Sequence, residues 1–234
     1  FDEYAIPTQK QLENAASYTV IAQNGIRVPF GDLFRDKRAI VIFIRHFWCP
    51  MCQDYMYSIA RTVNPEALSR AGVNLIIIGN GSPAMIKSYR HIFRTPFELY
   101  VDPTHRVYNS LGMTLRTTHP GPDHERGDYV RHGLFGGIAM VVRNALRVGM
   151  PVWEKSGDAA QLGGEFILGP GFTCSYAHRM RHTRSHAPIV EVLDAAGVPT
   201  YTLRSVQSHD DEERWMTRRR RSLDRMQAKR EKRR

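Results

Sequence analysis

A chain of 234 residues with 42% hydrophobic content is long enough to bury a full core, at about 100 to 200 residues per domain one large domain with appendages. No apolar run approaches the roughly 18 residues of a membrane-crossing helix, the opening FDEYAIPTQKQ is too polar for a secretory signal, and three cysteines are too few for a small secreted disulfide scaffold. These features argue against a membrane partner and for a reducing compartment, the cytoplasm, although a chain that begins at Phe1 leaves an upstream targeting segment open. Of the net charge of +10, nine units fall between residues 214 and 234, where 11 Lys or Arg face two acids, Asp224 and Glu231. The body is therefore nearly neutral and the tail basic. Such a like-charge block reads as a solvated extension, as a nuclear-localisation signal for an import receptor, or as a contact for an acidic partner. Trp215 is its sole aromatic, so base-stacking recognition of nucleic acid is not expected.

In chain order, SYTVIAQNGIRVPFGDLF (17–34) sets Asn24-Gly25 between two short strand-like runs, a hairpin signal. The buried-strand run AIVIFI (39–44) comes next, followed by QDYMYSIARTV (53–63), whose apolar residues Tyr55, Met56, Ile59, Ala60 and Val63 have helical spacing. VNLIIIG (73–79) is a second buried strand. It leads to the helix SPAMIKSYRHIF (82–93), with Ser82 as N-cap and Pro83 in the first turn. A strand at 97–101 and a helix around THRVYNSLG follow, then the polar loop THPGPDHERGD (118–128) and a helix LFGGIAMVVRNALRVG with a glycine pair near its start. A strand at 165–168 and a partner FTCSYA meet through Gly-Pro-Gly, and the helix HAPIVEVLDAAG ends at Gly197. Apolar strands alternating with helices predict an α/β fold, a central sheet covered on both faces.

Chemistry concentrates at Cys49-Pro50-Met51-Cys52, where the first buried strand hands over to a helix. A thiolate is the reactive form of cysteine, and a helix N-terminus lowers a thiol pKa from its ordinary value near ~8.5. Cys49 is then the candidate nucleophile, and Cys52, one turn on, the thiol able to close a disulfide onto it. Pro50 fits the first helical turn, where its missing N–H costs nothing. Arg45 or His46 is expected to add positive charge, the alternation of the strand placing one of them beside the sulfur. Two further readings stand beside the redox one: a pair of packed structural thiols, and zinc. For zinc, Cys174, His178, His182 and His186 recur every four residues and with Cys49 and Cys52 could complete a four-ligand site. That spacing implies a helical face, but the segment straddles a strand end and a helix start, the proline inside the CxxC favours redox chemistry, and no metal or cofactor is expected.

FIRHFWCPMC (43–52), LYVDPTHRVYNSLGM (99–113), QLGGEFILGPG (161–171) and CSYAHRM (174–180) together resemble the AhpC/TSA-type, peroxiredoxin-like members of the thioredoxin-like superfamily. The resemblance spans roughly residues 18–197. It implies a thioredoxin-like fold with peroxiredoxin-type extensions, a mixed sheet flanked by helices. The corresponding division is an N-terminal extension (1–17), the thioredoxin-like domain (18–205) and a basic tail (206–234).

The resemblance further implies a thiol-disulfide oxidoreductase that reduces a small peroxide or disulfide and is recharged by a thiol reductant. Peroxiredoxins place their reactive cysteine in P-x-x-x-T/S-x-x-C, whereas Ile42 and His46 occupy the Pro and Thr/Ser positions here. The cis-proline position of thioredoxins falls near Gly163 and Gly164, where glycines permit close backbone approach. Cys174 is a candidate third redox thiol. The alternative from another class is a non-catalytic thioredoxin-fold interaction module targeted by its Arg-rich tail.

Overall fold

A computed structural model describes residues 1–200, a single unit of chain. The basic tail, with its expected import receptor or acidic partner, lies outside the described residues. Strand β3 (Arg38–Phe43) sets the architecture. Its Ala39, Val41 and Phe43 face one side of the sheet and Ile40 and Ile42 the other, all fully buried. A strand apolar on both faces must be covered on both. It runs parallel to β4 (Val73–Gly79), which runs parallel to β5 (Glu98–Val101). Helices α2 (Pro50–Thr62) and α3 (Pro65–Arg70) cross from β3 to β4, and α4 (Ile86–Phe93) crosses from β4 to β5.

Antiparallel strands extend both edges. β1 (Thr19–Ala22) pairs with β5 and, through the Asn24-Gly25 turn, with β2 (Arg27–Pro29). Gly25 has φ +82°, the left-handed conformation that glycine adopts without strain. Beyond β3 lie β6 (Gly164–Leu168) and β7 (Cys174–Arg179). The order across the seven-stranded sheet is β2-β1-β5-β4-β3-β6-β7.

Two core layers result. One packs Ile40, Ile42, Leu75, Ile77 and Ile167 against Tyr55, Met56 and Ile59 of α2, Tyr89 and Ile92 of α4, and Val192 of α7 (Ile189–Ala195). The other packs Val41, Phe43, Ile76 and Ile78 against Leu12 and Ala15 of α1 (Gln9–Ser17) and Val107 and Tyr108 of α5 (Arg106–Ser110). Each fully buried large side chain contributes about 1.5–3 kcal/mol. Phe43 meets Tyr108 and Phe166 edge-on at 4.9 and 5.7 Å, and the Tyr108 hydroxyl donates to the carbonyls of Ile44 and Ile78 at 2.8 and 3.0 Å. The end of β3, where the cysteine loop begins, is thereby pinned.

Residues 1–17, expected as an extension, fold onto this second layer through α1. Thr8 and Gln11 form a capping box at its start. Ser82 caps a 3-10 turn (Pro83–Met85) that leads into α4, so that helix opens one tighter turn later than its sequence suggests. Helix α6 (Leu134–Val148) lies along α2 and α4.

Candidate active site

Cys49 is the N-cap of α2 and Pro50 its first helical residue. The Cys49 Sγ accepts the Cys52 N–H at 3.3 Å, the bond that a capping oxygen would otherwise accept. The Arg45 Nη1 donates to the same sulfur at 3.1 Å. The guanidinium is held from its other nitrogen by the Ala159 carbonyl, while the Arg45 backbone N–H donates to Cys52 Sγ at 3.4 Å. Arg45 is only 5% exposed and both sulfurs are fully buried. Burial by itself pushes the Cys49 thiol up. The hydrogen bond from Cys52, the positive charges of Arg45 and His46 and the Cys52 amide outweigh it and hold Cys49 well below the ordinary thiol pKa. Burial, together with the hydrogen bond and charge of Cys49, pushes Cys52 well above it. One turn of helix therefore presents a thiolate beside a thiol.

Of the two candidate cations, Arg45 is the one on the sulfur. His46 accepts the Cys49 N–H with its carbonyl at 3.1 Å, and burial lowers the pKa of its ring. Pro50 packs against α6 at Gly137, where an added Cβ would sit 2.8 Å from the proline. Gln53 and Asp54, both buried on α2, anchor α6 and the segment before it. Gln53 Oε1 accepts from Asn144 at 2.9 Å, and Asp54 accepts the Arg131 and His132 N–H groups at 2.9 and 3.0 Å. A groove of about 590 Å³ between α2 and α6, lined by Tyr57, Arg61, His132, Arg143 and Arg147, contains neither cysteine.

Gly163 and Gly164 carry the close approach expected of them. A Cβ on Gly163 would lie 1.8 Å from the Phe43 carbonyl oxygen, and one on Gly164 would lie 2.3 Å from that of His178. Gly163→Ala should therefore destabilise the fold by about 2 kcal/mol or more, read as a lower urea midpoint with an unchanged m-value; an unchanged midpoint would contradict the packing. Among the described residues the cis peptide is Gly169-Pro170, in the β6–β7 turn. Cys174 lies across a register shift in β7 and packs into the layer opposite the cysteine pair. Burial pushes its thiol up to about 11, and it donates to the Tyr176 carbonyl at 3.1 Å. The structure does not bring it to Cys49 and Cys52.

The residues weighed for zinc do not converge either. His182 faces Glu125 at 3.2 Å, and among the described residues no three His, Cys, Asp or Glu side chains gather as metal ligands. His178 and His186 instead meet on Glu165, a residue that the sequence reading did not single out. Glu165 stands two before Ile167 on β6, hence on the α2 face, directly across from His178 on β7. Its Oε2 accepts His178 Nδ1 at 2.6 Å and the Ala187 N–H at 3.2 Å, and its Oε1 accepts His186 Nδ1 at 2.5 Å. The remaining His186 nitrogen, Nε2, lies 3.7 Å from Cys52 Sγ.

Residues 61–182 match the family model described as AhpC/TSA antioxidant enzyme. The chain is 36% identical over 183 residues to peroxiredoxin-like 2C of Homo sapiens, covering 78% of this chain and 79% of that protein. The chain belongs to the AhpC/TSA antioxidant-enzyme family. In fold it matches the peroxiredoxin-like protein of Aquifex aeolicus, with TM-score 0.50, 12% identity and 84% of each chain. It also matches peroxiredoxin 6 of Arenicola marina, with TM-score 0.51, 14% identity, 77% of this chain and 69% of that one. The fold is thus thioredoxin-like with peroxiredoxin neighbours, and the family is one of peroxiredoxin-like, thioredoxin-fold oxidoreductases. Cys49 and Cys52 precede the residues that the family model matches.

Within this AhpC/TSA fold the peroxiredoxin hydroxyl position is held by His46, and the proline position by Ile42 inside β3. The cation beside the sulfur comes from Arg45 at the strand end. Among the described residues no helix is long and apolar enough to cross a membrane.

Proposed function

We propose that the chain is a thiol-disulfide oxidoreductase with peroxiredoxin-like antioxidant activity, in which Cys49 attacks and Cys52 resolves. The observation that carries this reading is the Cys49 sulfur at a helix start, 3.1 Å from a buried guanidinium, with the second thiol one turn on. The Cys49 thiolate attacks one oxygen of a peroxide, and the O–O bond breaks. The departing alkoxide takes a proton, leaving an alcohol and Cys49 as sulfenic acid. With a disulfide substrate, the attack leaves a mixed disulfide on Cys49 and releases a thiol. Cys52 then displaces the hydroxyl as water or the second thiol, and the Cys49–Cys52 disulfide forms. Two electrons have passed from the dithiol to the substrate, and an external thiol reductant restores it.

Without the Thr/Ser hydroxyl that organises a peroxide, thiol-disulfide exchange is expected to be faster than peroxide reduction. Both sulfurs are buried, so a reactant gains access only as a covering segment moves. The basic tail is proposed to direct the protein to an import receptor or an acidic partner, giving a nuclear as well as a cytoplasmic location. Removing residues 214–234 should then leave turnover intact and abolish salt-sensitive binding.

The test is the redox state of the thiols across poised dithiothreitol buffers and after one equivalent of peroxide, read by alkylation and peptide mass spectrometry. A reversible Cys49–Cys52 disulfide with a potential between about −120 and −270 mV is expected. Thiols that stayed reduced throughout would overturn the catalytic reading in favour of an interaction module.

A further inference from the structure

We propose that His186, oriented by Glu165, takes the proton from Cys52 as that thiol closes the disulfide onto Cys49. The inference rests on the reading of Cys52 as the resolving thiol. Cys52 needs a proton acceptor, because burial and the neighbouring Cys49 sulfur push its pKa well above the ordinary value. A buried thiol in that state presents almost no thiolate at neutral pH.

His186 is the group in place. Its Nε2 lies 3.7 Å from Cys52 Sγ, and Glu165 Oε1 accepts from its Nδ1 at 2.5 Å. A carboxylate on Nδ1 fixes the ring proton there and leaves the Nε2 lone pair toward the sulfur. The ring stacks on Tyr55 at 4.3 Å with planes 5° apart, and the His186 backbone N–H donates to the Tyr129 hydroxyl at 3.0 Å. The imidazole is thus held at its face, at its main chain and at Nδ1, with its free nitrogen on the reacting atom. Nucleophile, base and orienting acid stand in the order used to activate a weak nucleophile.

The surrounding charges support the role. Glu165 is balanced from its other oxygen by His178, whose Nε2 also lies 3.3 Å from Glu3. Burial opposes a charge on His178, but the two carboxylates outweigh it and raise its pKa. The carboxylates thus favour a proton on His178, while Glu165 Oε1 accepts from His186 Nδ1 and leaves Nε2 as the nitrogen that faces Cys52. The other groups facing the pair are Tyr55 and Tyr129, both kept neutral by burial, and Arg45, whose backbone N–H also donates to Cys52 Sγ. In the step itself the Cys52 S–H proton passes to Nε2 and the Cys52 sulfur bonds to the Cys49 sulfur. The group leaving Cys49, a hydroxide or a substrate thiolate, takes up a proton from solvent to depart as water or a thiol, and His186 afterwards returns its own proton to solvent. The imidazolium that forms faces the Glu165 carboxylate.

Stopped-flow reaction of the full chain with one equivalent of 4,4′-dithiodipyridine, in a Cys174→Ala background, separates the two steps. The first thiopyridone reports attack by Cys49, and the second reports displacement by Cys52. His186→Gln should leave the first release unchanged and slow the second about a hundredfold at pH 7, with a rate that climbs about tenfold per pH unit as Cys52 ionises unaided. Glu165→Gln should slow the second release less and shift its pH profile the same way; it carries the test if circular dichroism shows His186→Gln unfolded. A second release with the parent's rate and pH profile in the folded variant overturns the relay. A parent that forms the Cys49 mixed disulfide yet shows no second release overturns instead the reading of Cys52 as resolving thiol.

Discussion

Arg45→Met should raise the pH midpoint for Cys49 alkylation by about one unit or more and slow the reaction about tenfold at pH values below that midpoint. One pKa unit is about 1.4 kcal/mol of differential stabilisation, a tenfold change in thiolate population. Three groups besides Arg45 act on the Cys49 sulfur in the same direction: the Cys52 side chain, the Cys52 amide and His46. His46 is itself made a weaker base by burial, and an amide at a helix start contributes about 0.3–1 kcal/mol. The guanidinium carries a full charge, is 5% exposed and donates to the sulfur at 3.1 Å, so solvent screens it little. Methionine keeps much of the side-chain volume and removes only charge and donors. Arg45→Lys should recover part of the shift, because an ammonium retains the charge but not the planar fork that joins Cys49 Sγ to the Ala159 carbonyl. The check is the pH dependence of Cys49 alkylation, followed by mass spectrometry. A midpoint unmoved in Arg45→Met would assign the low pKa to the helix terminus and the Cys52 hydrogen bond alone.

The legible part of this site was local in sequence. Cys49, Pro50 and Cys52 declare a helix start after a buried strand through spacing and residue type alone, and the structure puts each at its expected position on α2. The strands were legible for a related reason: AIVIFI is apolar throughout and VNLIIIG is so apart from Asn74, a pattern that only a sheet covered on both faces requires. Which of Arg45 and His46 reaches the sulfur was not legible, because β3 ends at Phe43 and strand alternation no longer governs the turn that follows. Glu165 was missed because a glutamate in a glycine-flanked strand carries no motif. Its meaning comes from the β6–β7 register that sets it across from His178, and from the return of the chain at His186, 21 residues later. The histidines were visible as a four-residue period, but that period suggested shared ligands on a helix. On a strand followed by loops it separates His182, which faces Glu125, from the two that meet the carboxylate. Helix α1 was missed because QKQLENAAS is polar, although its Thr8-x-x-Gln11 box was readable.

Acidification should weaken the fold steeply below pH 4.5, and Glu165 should be a main cause. Burial alone would raise the pKa of its carboxyl, but His186 and His178 outweigh that and bring it from 4.5 to about 2. A depressed carboxylate pKa contributes stability that is present above the unfolded value and is lost as pH falls through the folded one. The loss should therefore run from pH 4.5 down to about 2 and amount to about 3 kcal/mol. His178 has the opposite sign. Its raised pKa adds stability that is complete below 6.5 and is lost as pH rises through the folded value, so the cluster stabilises most between the two limbs. Urea midpoints measured from pH 2.5 to 7 for the parent and for Glu165→Leu give the test. The variant leaves His178, the His186 Nδ1 and the Ala187 N–H without their acceptor, a cost at neutral pH of about 3–5 kcal/mol. Because that cost reflects the loss of an ionised acceptor, the gap between the two proteins should narrow as the parent's carboxyl takes up its proton. A gap that stayed constant down to pH 2.5 would mean that the Glu165 carboxyl titrates in the folded protein as it does in the unfolded chain, so that the two histidines do not stabilise it as the anion that holds the imidazole proton on Nδ1.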